Sequence, residues 1–447
     1  MAEANGHPGG HSEERDATAR LSKERPNGRP NVGSTRPGGG ADGAAGDGPD
    51  ALLGAASLDF EDYGAALRDK TDDELRAANI VLRTIQSQWM MKAGTSLARL
   101  GLALRVPGAA TAVERTVFRQ FCGGTSLEAA RAAARRLYQH GVRTILDYAV
   151  ESERSEAGFE AAREEIARAL ASASGGPEVA FCATKLTALA RDPALVRASE
   201  GAELAAEDRA ELERAEARLD SLAAAARASG AGLFVDAEQS WVQPAVDRLA
   251  ERAMREHNRE RAVVHTTVQL YLQDRLGYLR ELIEDARRAG YTVGVKLVRG
   301  AYYEAEDERA RQRGYASPLQ PSKEATDEAF DAAVTLALDN IDVVEVCAAT
   351  HNIESVRHLM REMERCGIAR GDPRVTASQL LGMLDRVTFP LAQNGYNALK
   401  YVPYGAVRSA FPYLLRRADE NKSIAGQMAG ELEAVRRELR RRGRKAV

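Results

Sequence analysis

Short apolar runs rich in β-branched residues recur from residue 143 onward, and each is followed by a longer stretch with helical periodicity. The candidate strands are RTILDYAV (143–150), VAFCATKL (179–186), GLFVDAE (232–238), VVHTTVQLY (263–271), TVGVKLVRG (292–300), VVEVCAAT (343–350), RVTASQLL (374–381) and ALKYVPYG (398–405). Most of these runs are apolar throughout, as is typical of parallel strands that are covered on one face and packed on the other. Eight strand–helix units favour a closed barrel, because an open sheet would leave two edges to shield. The pattern therefore predicts an α/β fold of the (β/α)8 TIM-barrel type.

Two regions precede the predicted barrel. Residues 51–138 contain apolar positions spaced three and four apart, which predicts an α-helical arm. Its last helix lies in TSLEAARAAARRLYQHG, with Thr125 or Ser126 as the N-cap and Gly141 as the stop. Residues 1–50 are rich in Gly, Pro and charge and nearly lack large apolar side chains, so we expect a disordered tail. The barrel is predicted to span residues 139–428, followed by a basic helix or tail at residues 429–447.

Composition and charge narrow the functional classes. The 447 residues carry a net charge of −3, which gives no reason to expect a nucleic-acid partner. The four cysteines are scattered without a CxxC pair, which predicts reduced thiols in an intracellular protein. No apolar run reaches about 18 residues, and the N-terminal sequence resembles neither a signal peptide nor a transit peptide. We therefore expect a cytoplasmic protein.

Polar side chains follow the predicted strands at the end where a barrel of this kind carries its active site. They are Asp147, Lys185, Asp236, Glu238, Gln269, Lys296, Arg299, Thr350, His351, Asn352, Gln379, Lys400 and Tyr401. Taken singly, Lys185 could be a surface lysine and Asp236 a helix cap, but their coincidence at equivalent positions indicates one functional site. The chain has no HxH or HExxH cluster, no GxSxG elbow and no GxGxxG after a strand. We therefore expect no metal and disfavour acyl transfer and Rossmann-type nucleotide binding.

The segment PYLLRRADEN (412–421) predicts an anion site. On a helix, Tyr413, Arg416, Arg417 and Glu420 fall at i, i+3, i+4 and i+7 and therefore share one face. Two adjacent guanidinium groups offer forked donors that match a carboxylate or a phosphate, and Glu420 could orient one of them. A solvated face of salt bridges is the alternative for this segment.

Seven motifs in one order carry a family resemblance that covers roughly residues 115–425. They are DAEQSWVQPA (236–245), VQLYLQD (268–274), KLVRGAYYEAE (296–306), ATHN (349–352), QLLGM (379–383), KYVPYG (400–405) and PYLLRRADEN (412–421). Together they resemble the proline dehydrogenase (proline oxidase) family. KLVRGAY and KYVPYG are most similar to its monofunctional mitochondrial-type branch.

The resemblance implies a (β/α)8 barrel that binds FAD without a covalent link. The implied reaction oxidises L-proline to (S)-1-pyrroline-5-carboxylate, the first step of proline degradation to glutamate, by hydride transfer to the flavin. A membrane quinone would receive the electrons. The resemblance also implies a location in the cytoplasm or at the inner membrane of a bacterium, or in the mitochondrion of a eukaryote.

By the same resemblance, Lys185, Arg416 and Arg417 hold the proline carboxylate, and Asp236 lies near the flavin and supports Lys185 or the substrate amine. The proton acceptor stays open between water and Asp236. The apolar side of the proline ring would meet Leu380, Tyr401, Tyr413 and Tyr302. The family positions that contact the cofactor correspond to Asp236, Gln269, Lys296, Arg299, Gly300, Thr350, His351, Asn352, Gln379 and Glu420. Tyr401 matches a position that is Tyr in proline enzymes and the smaller Ser in hydroxyproline enzymes, which implies a preference for L-proline.

Two other functional classes remain open from the sequence. A Schiff-base lyase or aldolase could use the same barrel with Lys185 as its nucleophile and the two arginines as anion ligands. A binding protein without catalytic activity is a third class, although it would not explain so many charges at one rim.

The C-terminal segment ELEAVRRELRRRGRKAV is basic and places Leu432, Val435 and Leu439 on one helical side. This pattern fits a peripheral membrane anchor. Because the apolar side is narrow, a solvated charged tail is the competing interpretation.

Overall fold

The structure is a computed structural model that describes residues 58–60, 67, 70–86, 118–149, 154–201, 203–407, 410 and 425–443, together with the single residues 104, 106, 111, 113 and 114. The predicted tail at residues 1–50 and much of the predicted arm lie outside the described residues.

Eight parallel strands close into a barrel in which every strand pairs with its neighbours in sequence and β1 pairs with β8. The strands are β1 (Arg143–Tyr148), β2 (Val179–Thr184), β3 (Gly232–Val235), β4 (Val264–Gln269), β5 (Val293–Val298), β6 (Val344–Ala349), β7 (Val375–Leu380) and β8 (Ala398–Tyr404). The predicted (β/α)8 barrel is confirmed. Each predicted strand extends one to three residues beyond the observed C-terminal end, because the chain there leaves the ladder and supplies the rim of the barrel.

Helices alternate with the strands and cover the outside of the barrel. In the described residues they are α1 (Asp72–Gln86), α2 (Arg119–Phe121), α3 (Leu127–Tyr138), α4 (Glu156–Ala173), α5 (Asp192–Ser199), α6 (Ala206–Ser229), α7 (Gln243–His257), α8 (Arg275–Ala289), α9 (Tyr303–Arg313), α10 (Lys323–Asp339), α11 (Ile353–Arg365), α12 (Asp385–Gln393) and α13 (Ala425–Arg441). Helix α3 begins as the sequence predicts, because Ser126 accepts a hydrogen bond from the backbone N–H of Ala129. The chain leaves this helix through Gly141, whose φ of 76° suits a residue without a side chain.

The inside of the barrel is packed with side chains. Phe181 and Phe234 stack with ring centroids 4.4 Å apart, and His265 meets both rings edge-on. Gly232 and Gly294 make room for this cluster, since a Cβ at either position would lie within 2.6 Å of the ring of Phe181 or His265. A ligand site in this fold is therefore expected at the C-terminal rim of the strands.

The part of the arm from residue 67 to residue 82 packs against the C-terminal helix. Leu432, Ala434, Val435 and Leu439 of α13 are buried in one apolar cluster with Leu67, Leu75, Ala78 and Leu82 of the arm. We call helices α1 and α13 the terminal helix pair. The Arg442 guanidinium strengthens the contact by donating to the backbone carbonyls of Lys70 and Leu67 at 2.7 and 3.0 Å.

This packing corrects both sequence-based interpretations of residues 429–447. The helix in this segment starts at Ala425, four residues before the predicted boundary. The apolar side that suggested a membrane anchor is covered by α1. It is not a solvated tail either, because Leu432, Val435 and Leu439 are each at most 3% exposed. In the part of the chain that the structure describes, no helix combines the length and the apolar character needed to cross a bilayer.

Candidate active site

Three strands bring an acid, an amine and a phenol together at the C-terminal rim. Asp236 directly follows β3, Lys296 lies in β5 and Tyr401 lies in β8. The Lys296 ammonium contacts Oδ1 of Asp236, and the Tyr401 hydroxyl donates to Oδ2 at 2.7 Å. Both oxygens of one carboxylate are thus held by groups from other parts of the barrel.

The charges around Asp236 keep this carboxyl ionised. Burial alone would raise its pKa, but the positive charges of Lys296 and Lys185 and the hydrogen bonds from Lys296 and Tyr401 lower the pKa below its ordinary value. The backbone N–H of Asp236 also donates to the carbonyl oxygen of Thr184 at 2.8 Å, which places Asp236 beside the end of β2, where Lys185 follows. Lys185, Asp236 and Lys296 therefore form one charged cluster with a net positive charge.

An apolar wall lies next to this cluster. Leu380 and Tyr401 are register partners on β7 and β8, and both belong to an apolar cluster that includes Phe234 and Cys347. The Lys296 ammonium lies 4.9 Å from the ring centroid of Phe234 and 5.1 Å from that of Tyr401. Two aromatic faces thus stabilise the buried ammonium. Phe234 was not expected from the sequence, although its position two residues before Asp236 places both side chains on the same face of the strand and its extension.

Glu238 is a second carboxyl at this rim, where the sequence places it without indicating a specific role. Its oxygens accept hydrogen bonds from the backbone N–H and the hydroxyl of Thr187, at 3.1 and 2.5 Å. Thr187 belongs to the single turn Leu186–Ala188 that begins at Lys185, so Glu238 fixes the segment that carries this lysine. Burial raises the pKa of Glu238 to about 7, although Thr187 and Lys185 oppose the shift.

Arg299, a predicted cofactor ligand, is held in one orientation. Its guanidinium donates to Asp327 at 2.5 Å, to the hydroxyl of Thr350 at 2.5 Å and to Ser355 at 2.8 Å. It also stacks on the ring of Phe330, with Cζ 4.5 Å from the centroid. Asp327, Ser355 and Phe330 were not expected from the sequence, because no local spacing connects them to Arg299.

Thr350 and Asn352 organise the start of α11. The Thr350 hydroxyl accepts from the backbone N–H of Asn352 at 3.0 Å, and the Asn352 side chain caps the helix by accepting from Glu354 N–H at 2.9 Å. Both residues therefore have structural partners at the positions where the sequence predicts cofactor contacts. The observed contacts orient the rim. Contact of Thr350 and Asn352 with a cofactor stays a prediction.

Hydrogen bonds connect the remaining rim residues to one another. His351 Nε2 accepts from the backbone N–H of Leu380 at 3.1 Å, which assigns the ring proton to Nδ1 in the neutral imidazole. The Gln379 side chain accepts from the Thr388 hydroxyl at 2.8 Å. The Gln269 amide donates to the backbone carbonyl of Glu238 at 2.7 Å and thereby connects β4 to the segment that follows β3.

Gly300 and Tyr302 lie just beyond β5. Gly300 has a φ of 146°, and a Cβ there would lie 2.4 Å from the ring of Tyr271, so the backbone conformation and this ring together account for the glycine. Tyr302 is the half-buried N-cap residue of α9. Tyr413, Arg416, Arg417 and Glu420 lie outside the described residues, so the predicted anion site stays a prediction.

Comparison with known proteins identifies the family. The family model for proline dehydrogenase matches residues 130–430, which is more than half of the chain. The chain belongs to the proline dehydrogenase family. The resemblance that the seven motifs indicate is thereby confirmed, and it extends over the whole barrel.

Individual relatives of this proline dehydrogenase family member agree with the match. Human mitochondrial proline dehydrogenase 1 is 40% identical over 254 residues, which cover 56% of this chain and 41% of the human protein. The carbapenem antibiotics biosynthesis protein CarD of Pectobacterium carotovorum is 36% identical over 324 residues, or 72% of this chain and 83% of that protein. The chain thus spans less than half the length of the human relative and most of the bacterial one.

A solved structure has the same fold at lower identity. Proline utilization A from Bdellovibrio bacteriovorus, in a form inactivated by N-propargylglycine, aligns with a TM-score of 0.65 at 20% identity. The alignment covers 83% of this chain and 39% of that chain. At this identity the likeness supports the barrel architecture alone.

Proposed function

We propose that this chain oxidises L-proline to (S)-1-pyrroline-5-carboxylate in a flavin-dependent reaction. The observation that carries the proposal is the cluster of Asp236, Lys296 and Tyr401, with Lys185 beside it and the Leu380 wall next to it. A small amphipathic imino acid needs such a site, with charge for its carboxylate and amine and an apolar surface for its ring. The family membership of the chain agrees with this assignment.

The charged cluster binds and orients the substrate in this proposal. Lys185 attracts the proline carboxylate, together with Arg416 and Arg417 if the last helix is placed as the resemblance implies. The net positive charge also favours the neutral amine over the ammonium, and only the neutral amine can release a hydride from the adjacent ring carbon. Leu380 and Tyr401 would hold the ring so that this carbon has one fixed orientation.

Proton removal is assigned to water rather than to Asp236. Oxidation removes a hydride from C5, the ring methylene next to nitrogen, and a proton from the nitrogen, which leaves a double bond between C5 and nitrogen. A carboxylate whose pKa is lowered is a weak base, so Asp236 is poorly suited to accept the proton at neutral pH. It can still accept a hydrogen bond from the substrate amine, because its oxygens have lone pairs beyond those used by Lys296 and Tyr401.

The donor set at the rim fits non-covalently bound FAD. Lys296 and Arg299 supply positive charge, Gln269, His351 and Gln379 supply polar groups, and Arg299 is already fixed by three side chains. When bound, FAD supplies the hydride acceptor and returns to its oxidised form by passing electrons onward. We propose a membrane quinone as the final acceptor. The enzyme would then work at the surface of a bacterial or mitochondrial membrane. This location does not require α13 to enter the lipid.

Product analysis with labelled substrate tests the proposal. The FAD-loaded protein is supplied with an artificial electron acceptor and L-proline dideuterated at C5, the ring methylene next to nitrogen. We expect a cyclic imine that has lost one deuterium from this carbon, as deuteride, at a rate slowed by the label. A product that retains both deuterium atoms would contradict the proposal.

The Schiff-base alternative has its own signature. A lyase or aldolase that uses Lys185 would form a covalent adduct with its carbonyl substrate that borohydride traps on this lysine. In the proposed reaction Lys185 is an electrostatic ligand, so Lys185→Arg should retain measurable proline oxidation with a raised KM. Complete loss of turnover together with a trapped Lys185 adduct in the wild type would favour the lyase.

A further inference from the structure

Charged groups from three separate regions of the chain converge on the turn between β7 and α12, at residues 380–384. The Lys400 side chain is fully buried, and its ammonium donates to the carbonyl oxygens of Leu380 and Met383 and lies 2.9 Å from Asp385 Oδ1. Lys70 of the arm lies 2.9 Å from the other oxygen of Asp385. We call Lys70, Asp385, Lys400 and Glu431 the turn clamp.

Glu431 is the fourth member of the clamp and comes from the C-terminal helix. Its carboxylate accepts a hydrogen bond from the backbone N–H of Leu384 at 2.9 Å. Leu384 has a φ of 54°, a left-handed conformation that a leucine adopts only under constraint. It is the one non-glycine residue with positive φ in the described part of the chain. The hydrogen bond to Glu431 is therefore placed where the turn is most strained.

The turn connects the clamp to the candidate active site. Its first residue, Leu380, forms part of the apolar wall and donates its backbone N–H to His351 at 3.1 Å. Lys400, which holds the carbonyls of the turn, directly precedes Tyr401 on β8. A shift of the turn would therefore move Leu380 relative to Tyr401 and disturb the contact with His351.

Stabilisation of the fold explains this arrangement less well than positioning of the turn does. Removing two ammonium groups and two carboxylates from water costs free energy, and well-packed apolar residues often stabilise a fold as much. In some proteins a buried ion pair is retained because it fixes one geometry. Here the geometry that they fix is a strained turn at the rim of the site.

We propose that the turn clamp positions the 380–384 turn for substrate binding, so that Lys70 just before α1 and Glu431 on α13 contribute to proline affinity without touching the substrate. This inference rests on the proposed function. It makes Lys70 and Glu431 positioning residues that act through Asp385 and Leu384.

The test uses the FAD-loaded full chain and two measurements. The first is the Kd of a proline analogue with oxygen in place of the ring nitrogen, which keeps the carboxylate and cannot be oxidised in the same way. The second is hydrogen exchange of the backbone amides at residues 380–384. Lys400→Met would leave a buried carboxylate without its main partner and endanger folding, so the variants are Lys70→Met and Glu431→Ala.

We expect Lys70→Met and Glu431→Ala to weaken analogue binding by about tenfold, since small displacements of positioning groups have effects of this size or larger. Exchange of the 380–384 amides should become faster in both variants. Glu431→Gln should restore affinity to within about twofold of the wild type, because its amide oxygen can still accept from Leu384 N–H. Arg76→Met on α1 and Glu433→Ala on α13 are the matched controls, since both residues form exposed ion pairs, with Asp73 and Arg440 respectively, and neither should change Kd or exchange.

Three results would overturn the inference. Faster exchange with an unchanged Kd would show that the clamp only stabilises the fold. Unchanged exchange in both variants would show that it does not hold the turn. If the wild type neither binds the analogue nor oxidises proline, the proposed function fails and the inference fails with it. If the wild type binds the analogue and both variants bind it with the same Kd, the inference alone is overturned.

Discussion

The Tyr401 hydroxyl donates a hydrogen bond of 2.7 Å to Oδ2 of Asp236 and thereby joins β8 to the end of β3. The ring of the same tyrosine lies beside Leu380 in the apolar wall and faces the ammonium of Lys296. One side chain therefore supplies a polar anchor for the acid and a wall for the proposed proline ring. The two roles can be separated by substitution.

Tyr401→Phe removes the hydroxyl and keeps the ring. A hydrogen bond to a charged group is worth about 1.5–3 kcal/mol, so we expect proline kcat/KM to fall by about tenfold or more. The preference for L-proline over trans-4-hydroxy-L-proline, expected to be at least about tenfold in the wild type, should persist because the ring still excludes the extra hydroxyl.

Tyr401→Ser should shrink that preference, chiefly by loss of proline activity. Values of kcat/KM for both imino acids with the three proteins provide the check, and equal use of both by the wild type would contradict the role of Tyr401.

Arg417→Lys tests the predicted carboxylate site. A lysine ammonium cannot reproduce the two parallel hydrogen bonds of a guanidinium, and the loss of one charged hydrogen bond corresponds to about 10- to 150-fold in KM. We expect KM for proline to rise within this range while FAD content stays constant. If KM does not change, Arg417 does not contact the substrate.

Leu439→Ala tests the packing of the terminal helix pair. Leu439 is fully buried in the cluster between α1 and α13, and truncation of a buried leucine costs about 2–5 kcal/mol in the free energy of unfolding. Urea denaturation should show a loss in this range for Leu439→Ala. The exposed neighbour Arg437 offers a control, since Arg437→Ala should change stability by about 0.5 kcal/mol or less. Equal stability of the two variants would mean that α13 does not pack on the arm as described.

His265 predicts a pH dependence of stability. Burial and the charge of Arg261 lower the pKa of this histidine from 6.5 to about 3 in the folded state. Between these values the unfolded chain binds a proton that the folded chain does not, so stability decreases as the pH falls below 6.5. This one group should account for about 2 kcal/mol of lost stability between about pH 7.5 and about pH 5.

The matching variant is His265→Phe, which keeps an aromatic ring between Phe181 and Phe234. Its unfolding free energy should fall less than that of the wild type over the same pH interval. The difference between the two decreases should be about 2 kcal/mol, the amount assigned to the histidine. Parallel pH profiles for the two proteins would show that His265 does not stay neutral in the fold.

The sequence predicted the barrel because apolar runs and helical spacing are local signals. It also predicted that Asp236, Lys296 and Tyr401 would share one rim, since the ends of parallel strands meet. The contacts that it missed join distant positions without any periodic signal, such as Asp327 with Arg299 and Lys70 with Asp385. The interpretation of α13 as a membrane anchor or a solvated tail was wrong for the same reason. A narrow apolar stripe indicates that something covers it, and only the structure identifies the arm helix as that partner.

An anaerobic absorbance spectrum tests the central claim most directly. The FAD-loaded protein should absorb at roughly 450 nm, and L-proline added without oxygen should bleach this band because the flavin receives the hydride. D-Proline, which presents its carboxylate on the other side of the ring, is the control and should bleach it far more slowly. A preparation that carries its full complement of FAD and stays yellow under L-proline would contradict the assignment of this chain as a proline-oxidising flavoenzyme.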